Sequence, residues 1–167
     1  LSKSCDGIPL PYDNILSNRS HTIRYLYEVE STLRKVGVAG AHLRFHPSQN
    51  IDWYAEYMDL TFWSIDQSDL QESLSKTSLV IGPISTVFVE SLLSGVNYLV
   101  YEPLSDGKCI FGRTPTLPMD GSDPRIAIAR SVDELQQFIS ARKPLSSELI
   151  NEFSKHPVDM SPIINAL

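Results

Sequence analysis

Basic residues are in short supply in this chain, and cysteine more so. Fourteen Lys and Arg stand against twenty Asp and Glu, a net charge of -6. That balance excludes the basic stripe by which a nucleic-acid binder is normally recognised. It does not exclude a small anionic ligand, which responds to local groups rather than to total charge. The two cysteines, Cys5 and Cys109, lie far apart with no neighbouring cysteine. They have neither metal-ligand spacing nor a disulfide framework, and read as two free thiols in a reducing compartment. Long apolar runs are missing as well. From Leu79 to Tyr101 the only charge is Glu90, but Gly82-Pro83, Ser94-Gly95 and Asn97 cut the stretch into pieces too short for a transmembrane helix. The chain opens on Leu1, with no Met and no basic-then-apolar leader. It therefore reads as a piece that begins inside something larger or has been trimmed. Gly-x-x-x-x-Gly-Lys, Gly-x-Gly-x-x-Gly and Gly-x-Ser-x-Gly are all absent, which removes the phosphate loop, the dinucleotide turn and the nucleophile elbow.

What remains is an ordinary globular composition. With 42% hydrophobic and 20% charged residues over 167 positions, the chain has enough material for about one domain with a real core. Leu26, Val29, Leu33 and Val36 recur at three- and four-residue spacing, which predicts a helix over 21–36, closed by Gly37 as a left-handed cap. Glu30 and Arg34 are spaced for an ion pair on it. A strand over 41–45 presents Leu43 and Phe45 to one side and His42, Arg44 and His46 to the other, so it lies near an edge or opens into a crevice. A short helix over 50–58, a strand over 60–65 and a helix opened by a Ser68–Gln71 capping box follow. Then come a buried strand 79–81, a turn 82–84, a helix 85–94 and a strand 98–101. The 23 residues 103–125 hold four prolines and three glycines and read as a long loop, either functional or mobile. A strand over 126–129, a helix opened by a Ser131–Glu134 capping box and a last helix over 147–155 complete the chain. Alternating strands and helices predict an α/β fold: a single Rossmann-like domain, its sheet mostly parallel, with helices on both faces.

In such sheets ligands bind beyond the carboxyl ends of the strands, and two of those loops are unusual. His46-Pro47 ends the 41–45 strand; a His there donates to a phosphate, and Pro47 stiffens the turn. The bland alternative is a surface His before a helix-starting Pro. The same dipeptide at His156-Pro157 follows a helix and is no candidate. Gly82-Pro83-Ile84-Ser85-Thr86 leads from a strand into a helix, so backbone amides and two hydroxyls converge on one place. Against this, Ser85 serves equally well as an ordinary N-cap. Glu90, alone in an apolar helix, needs a partner such as a ribose hydroxyl or an internal amide or Arg. No metal site is expected: Asp120 and Asp123, like Asp66 and Asp69, lack a third ligand and read as turn or cap residues.

The series His46-Pro47, Trp63-Ser64-Ile65, Leu79 through Glu90, Gly95 and Tyr101-Glu102-Pro103 resembles the donor-binding, C-terminal half of bacterial GT-B sialyltransferases and polysialyltransferases, marked by an HP motif and a later Ser-Ser/Thr motif. The likeness spans roughly residues 40 to 103. It implies a CMP-sugar donor, CMP-sialic acid first among them, and metal-independent inverting transfer to a surface glycan, as in capsule or lipooligosaccharide synthesis. No cofactor is implied. The location implied is the cytoplasm or the periphery of the inner membrane. In this likeness His46 contacts the CMP phosphate and helps the nucleotide leave, Ser85 and Thr86 bind the same phosphate, and Pro47, Ser64, Ile65, Gly82 and Glu90 complete the nucleotide site. The base sits near residues 63–66, and Glu90 holds the ribose. Lys108 and Arg113 lie in the long loop, where solvated charges are the ordinary reading. The family's general base and acceptor site belong to an N-terminal domain that these 167 residues do not supply. Alternatives from the residues alone are a relative using CDP-glycerol or a UDP-sugar, and a non-catalytic Rossmann-like module. For one phosphate to bridge both loops, the His46 ring and the Thr86 hydroxyl must lie within about 10 Å of each other.

Overall fold

The architecture is that of a computed structural model, which describes residues 11–46, 49–105, 108–109, 118–141 and 145–155. It is mixed α/β, and its longer strand pairings are parallel. The chain forms two compact units, one from residues 1–67, 103–114 and 131–140, the other from 68–102, 115–130 and 141–167.

The first unit is built on helix α1 (Pro11–Lys35), which begins ten residues earlier than its apolar spacing predicts. Leu26, Val29 and Leu33 are buried as expected, and Tyr25 and Thr32 join them. Gly37, at φ 87°, ends the helix. Its amide donates to the carbonyl of Arg34 and that of Val38 donates to Leu33, a pairing that satisfies the last-turn carbonyls. Glu30 accepts from Arg34 Nε at 2.8 Å, and Arg34 reaches on to Asp59 Oδ2 at 2.6 Å and covers the Phe62 ring.

Strand β1 (Ala41–Leu43) pairs in parallel with β2 (Trp63–Ile65), with Ala41 opposite Trp63. Between them lies α2 (Ile51–Ala55), capped by Asn50, whose side chain accepts from the Trp53 amide. Both strands and this helix are shorter than the sequence suggests. Leu60 and Thr61 are turn residues, because Asp59 takes the amides of Thr61, Phe62 and Trp63 and so delays the strand. The stretch 103–125 is not one featureless loop. It contains the antiparallel pair β5 (Leu104–Ser105) and β6 (Lys108–Cys109). Helix α5 (Val132–Ala141) follows, opened by Ser131 Oγ accepting from the Glu134 amide.

The second unit starts with α3 (Leu70–Ser75). Its cap is Asp69, accepting from the Glu72 amide, one residue beyond the Ser68–Gln71 box expected. A carboxylate is the stronger acceptor for an orphan amide, and this register buries Leu74. Strands β3 (Leu79–Gly82), β4 (Asn97–Tyr101) and β7 (Ile128–Ala129) form a parallel sheet in the order β3-β4-β7. Tyr98 through Tyr101 are buried on both faces, as in a strand with helices above and below. Phe88 and Leu92 of α4 (Val87–Leu93) pack with Tyr98, Val100, Ile126 and Leu149 as the core. The last helix, α6 (Ser147–Lys155), is seated by Asn97, whose Oδ1 accepts from the amides of Leu145 and Ser146. Asp123 and Arg125 secure its far side. Arg125 pairs with both Asp123 and Glu152, and its hydrogen bonds hold the Asp123 carboxyl down to about 2. The β1–β2 and β3-β4-β7 sheets share no strand, so the parallel α/β character is observed and a single continuous sheet is not. No helix among the described residues is long and apolar enough to cross a membrane.

Candidate functional site

In the first unit, His46 lies three residues past the end of β1 rather than directly after it. Its backbone is fixed on both sides by Gln49: the His46 amide donates to Gln49 Oε1 at 3.0 Å, and the Gln49 amide donates to the His46 carbonyl at 2.9 Å. Phe45, stacked on Tyr54 at 5.2 Å, anchors the preceding residue. The expected alternation holds: Leu43 and Phe45 turn inward, while His42, Arg44 and His46 are exposed. Ser64 is exposed and pairs with His42, and Ile65 is half-buried opposite Leu43. Pro47 falls outside the described residues, as do Arg113, Cys5 and His156-Pro157; Lys108 is on β6.

The second unit contains Gly82, Ser85, Thr86 and Glu90. The turn from β3 into α4 sits at the carboxyl ends of parallel strands, where α/β sheets bind ligands. The helix begins later than the sequence suggests, at Val87. Thr86 is its first flanking residue, and the Thr86 side chain makes no capping hydrogen bond. The Phe88 amide bonds the Ser85 carbonyl and the Val89 amide the Thr86 carbonyl. The N-cap reading of Ser85 is thereby corrected: backbone carbonyls accept these first-turn amides, and Thr86 is an exposed residue. Glu90, half-buried, lies one turn into α4.

Tyr98 of β4 and Glu102, just past its end, grip this turn. Tyr98 Oη donates to the Pro83 carbonyl at 2.8 Å and lies 3.4 Å from Ser85 Oγ. Glu102, one residue past β4 and 2% exposed, accepts from the Ile84 amide at 2.8 Å through Oε1. Its Oε2 is equally buried and has no hydrogen-bond partner among the described residues. In the sequence Glu102 stands out only as part of Tyr101-Glu102-Pro103. The available signal was period-two alternation: 98, 100 and 102 share one face of the strand. Gly82 is required by the same grip. A Cβ there would overlap the Tyr98 hydroxyl and sit 3.1 Å from Cζ. Tyr98 has no room to retreat, being 1% exposed and set edge-on against Phe88. Gly82→Ala is therefore expected to cost about 1–3 kcal/mol by overpacking. A urea midpoint lowered at unchanged slope checks this; an unchanged midpoint would mean that the ring relaxes freely.

Asp120 accepts from the amide and hydroxyl of Ser122, and Asp69 caps α3, so both serve local backbone. No group of three or more potential metal ligands occurs among the described residues. His46, Ser64 and Ile65 thus belong to one unit, and Gly82, Ser85, Thr86 and Glu90 to the other. Comparison with known proteins gives no matching family model, no matching curated protein and no matching solved structure.

Proposed function

We propose that this chain is the donor-binding half of a glycosyltransferase similar to the bacterial GT-B sialyl- and polysialyltransferases, a Rossmann-like domain taking a CMP-sugar. The observation that supports this most is the β3–α4 turn: its Ser85 and Thr86 hydroxyls lie at the carboxyl ends of parallel strands, and the Thr86 hydroxyl is not spent on capping. Such hydroxyls with neighbouring amides stabilise a leaving phosphate without a metal. His46, exposed and with its backbone held by Gln49, is the residue that the resemblance assigns to the departure of CMP. Gly82 shapes the turn, and Pro47, Ser64, Ile65 and Glu90 flank the nucleotide, with Glu90 on the ribose. The glycan acceptor and the general base come from a separate N-terminal domain of the enzyme, so this half binds donor but does not turn it over alone.

Titration of CMP, CDP and UMP, followed by backbone amide shifts, tests the reading. CMP is expected to move the amides of His46, Ser85 and Thr86 together, and His46→Ala or Thr86→Ala to weaken it about tenfold, as for loss of a hydrogen bond to a charged group. Shifts confined to one of the two loops would sink the shared-phosphate site. No response to any nucleotide at millimolar concentration would leave a non-catalytic module as the better description.

A further inference from the structure

The Pro83 carbonyl and the Ile84 amide are the two ends of one peptide group, and β4 holds both. Tyr98 donates to the oxygen and Glu102 accepts from the nitrogen, each at 2.8 Å. A planar peptide held at both ends has no freedom to rotate. The next two residues are Ser85 and Thr86, so the orientation of this plane sets where their hydroxyls and amides point. We propose that Tyr98 and Glu102 are positioning residues for the phosphate-binding turn, acting on the ligand through Ser85 and Thr86; the proposal rests on the donor-site reading above.

Oε2 of Glu102, buried without a partner among the described residues, argues that this side chain does more than fill space. A buried polar oxygen without a partner is a net cost to folding, and an apolar residue of similar size would avoid it. The return on that cost is the hydrogen bond to the Ile84 amide, which only a side chain with an acceptor at this reach supplies. Tyr98 is bound by the same logic: its ring belongs to the core, and its hydroxyl emerges at the turn, within 3.4 Å of Ser85 Oγ. The Ser85 hydroxyl thus lies beside the clamp that fixes its backbone.

Glu102→Gln keeps a carbonyl acceptor for the Ile84 amide, whereas Glu102→Ala removes it, and the pair separates positioning from bulk stability. Both are compared with the wild-type chain at a temperature where circular dichroism shows all three folded. Glu102→Ala is expected to speed hydrogen exchange at the Ile84 amide at least tenfold and to weaken CMP binding by a similar factor, and Glu102→Gln to restore both. Tyr98→Phe, which loses only the hydroxyl, is expected to weaken CMP severalfold. Unchanged Ile84 exchange in Glu102→Ala overturns the clamp. Faster exchange with unchanged CMP affinity overturns the positioning role. A wild-type chain that binds neither CMP, CDP nor UMP overturns the donor-site reading and this proposal together, and is told apart because the failure precedes any substitution.

Discussion

Replacing Trp63 by alanine is expected to destabilise the first unit by about 3–5 kcal/mol, the range for truncating a buried large aromatic. Trp63 is 5% exposed and opens β2, where it pairs with Ala41. Its ring meets Phe62 edge-on at 5.1 Å, and its Nε1 donates to Glu30 Oε2 at 2.8 Å. Glu30 already holds Arg34 through Oε1, and Arg34 in turn holds Asp59 and lies over Phe62. Truncation therefore opens a cavity and also takes away the donor that ties α1 to β2. Trp63→Phe separates the two effects: it keeps most of the apolar area and loses the indole N–H, so it is expected to cost about 1–3 kcal/mol. Hydrogen exchange at the amides of β1 and β2, read alongside the urea midpoint, checks both variants. Equal losses for Phe and Ala would assign the whole effect to the Glu30 bond.

The Trp63 network also shows which features a sequence reveals. The Leu26–Leu33 spacing, the Glu30–Arg34 pair and the Gly37 cap are local, and each follows from helix geometry over a few residues. The bond from Trp63 to Glu30 joins residues 33 positions apart, and no period or motif encodes it. The strands are shorter than the residue pattern suggests for a related reason. Residues 60–62 suit a strand, but Asp59 captures the Thr61 amide with its side chain and the Phe62 amide with its carbonyl, a local competition with the ladder that residue patterning does not weigh. At α3 two overlapping capping patterns existed, and burial of Leu74 together with the stronger acceptor Asp69 selected the second.

The candidate site was legible to the same extent. The Gly82–Thr86 turn stands out because Gly and Pro adjoin two hydroxyl residues between a strand and a helix, and it does occupy that place. Its grip by Tyr98 and Glu102 was not legible. Both lie more than a dozen positions away, and a carboxylate beyond a strand end looks like an ordinary solvated charge until its burial is seen. The reason Gly82 must be glycine was hidden with them: the limit there is the Tyr98 hydroxyl overhead and not a turn dihedral.

Leu92→Ala is expected to destabilise the second unit by about 2–5 kcal/mol. Leu92 is completely buried on α4, in the core with Phe88, Tyr98, Val100, Ile126 and Leu149. α4 and α6 both contribute to that core, so a cavity there is bounded by two helices and a sheet that cannot all close in. The neighbouring Leu93 is an internal control. It has the same side chain on the same helix but is exposed, and Leu93→Ala is expected to change stability by no more than about 0.5 kcal/mol. Hydrogen exchange at the Leu99 and Val100 amides is expected to quicken strongly for Leu92→Ala and hardly at all for Leu93→Ala. The pair also isolates what holds the turn. Tyr98 and Glu102 grip the Pro83–Ile84 peptide from β4, not from α4. Below its lowered midpoint, Leu92→Ala should therefore bind CMP within a few-fold of wild type, while Glu102→Ala, measured at the same temperature, loses about tenfold. If CMP affinity instead falls in step with core stability, then α4 packing rather than the β4 clamp sets the geometry of Ser85 and Thr86.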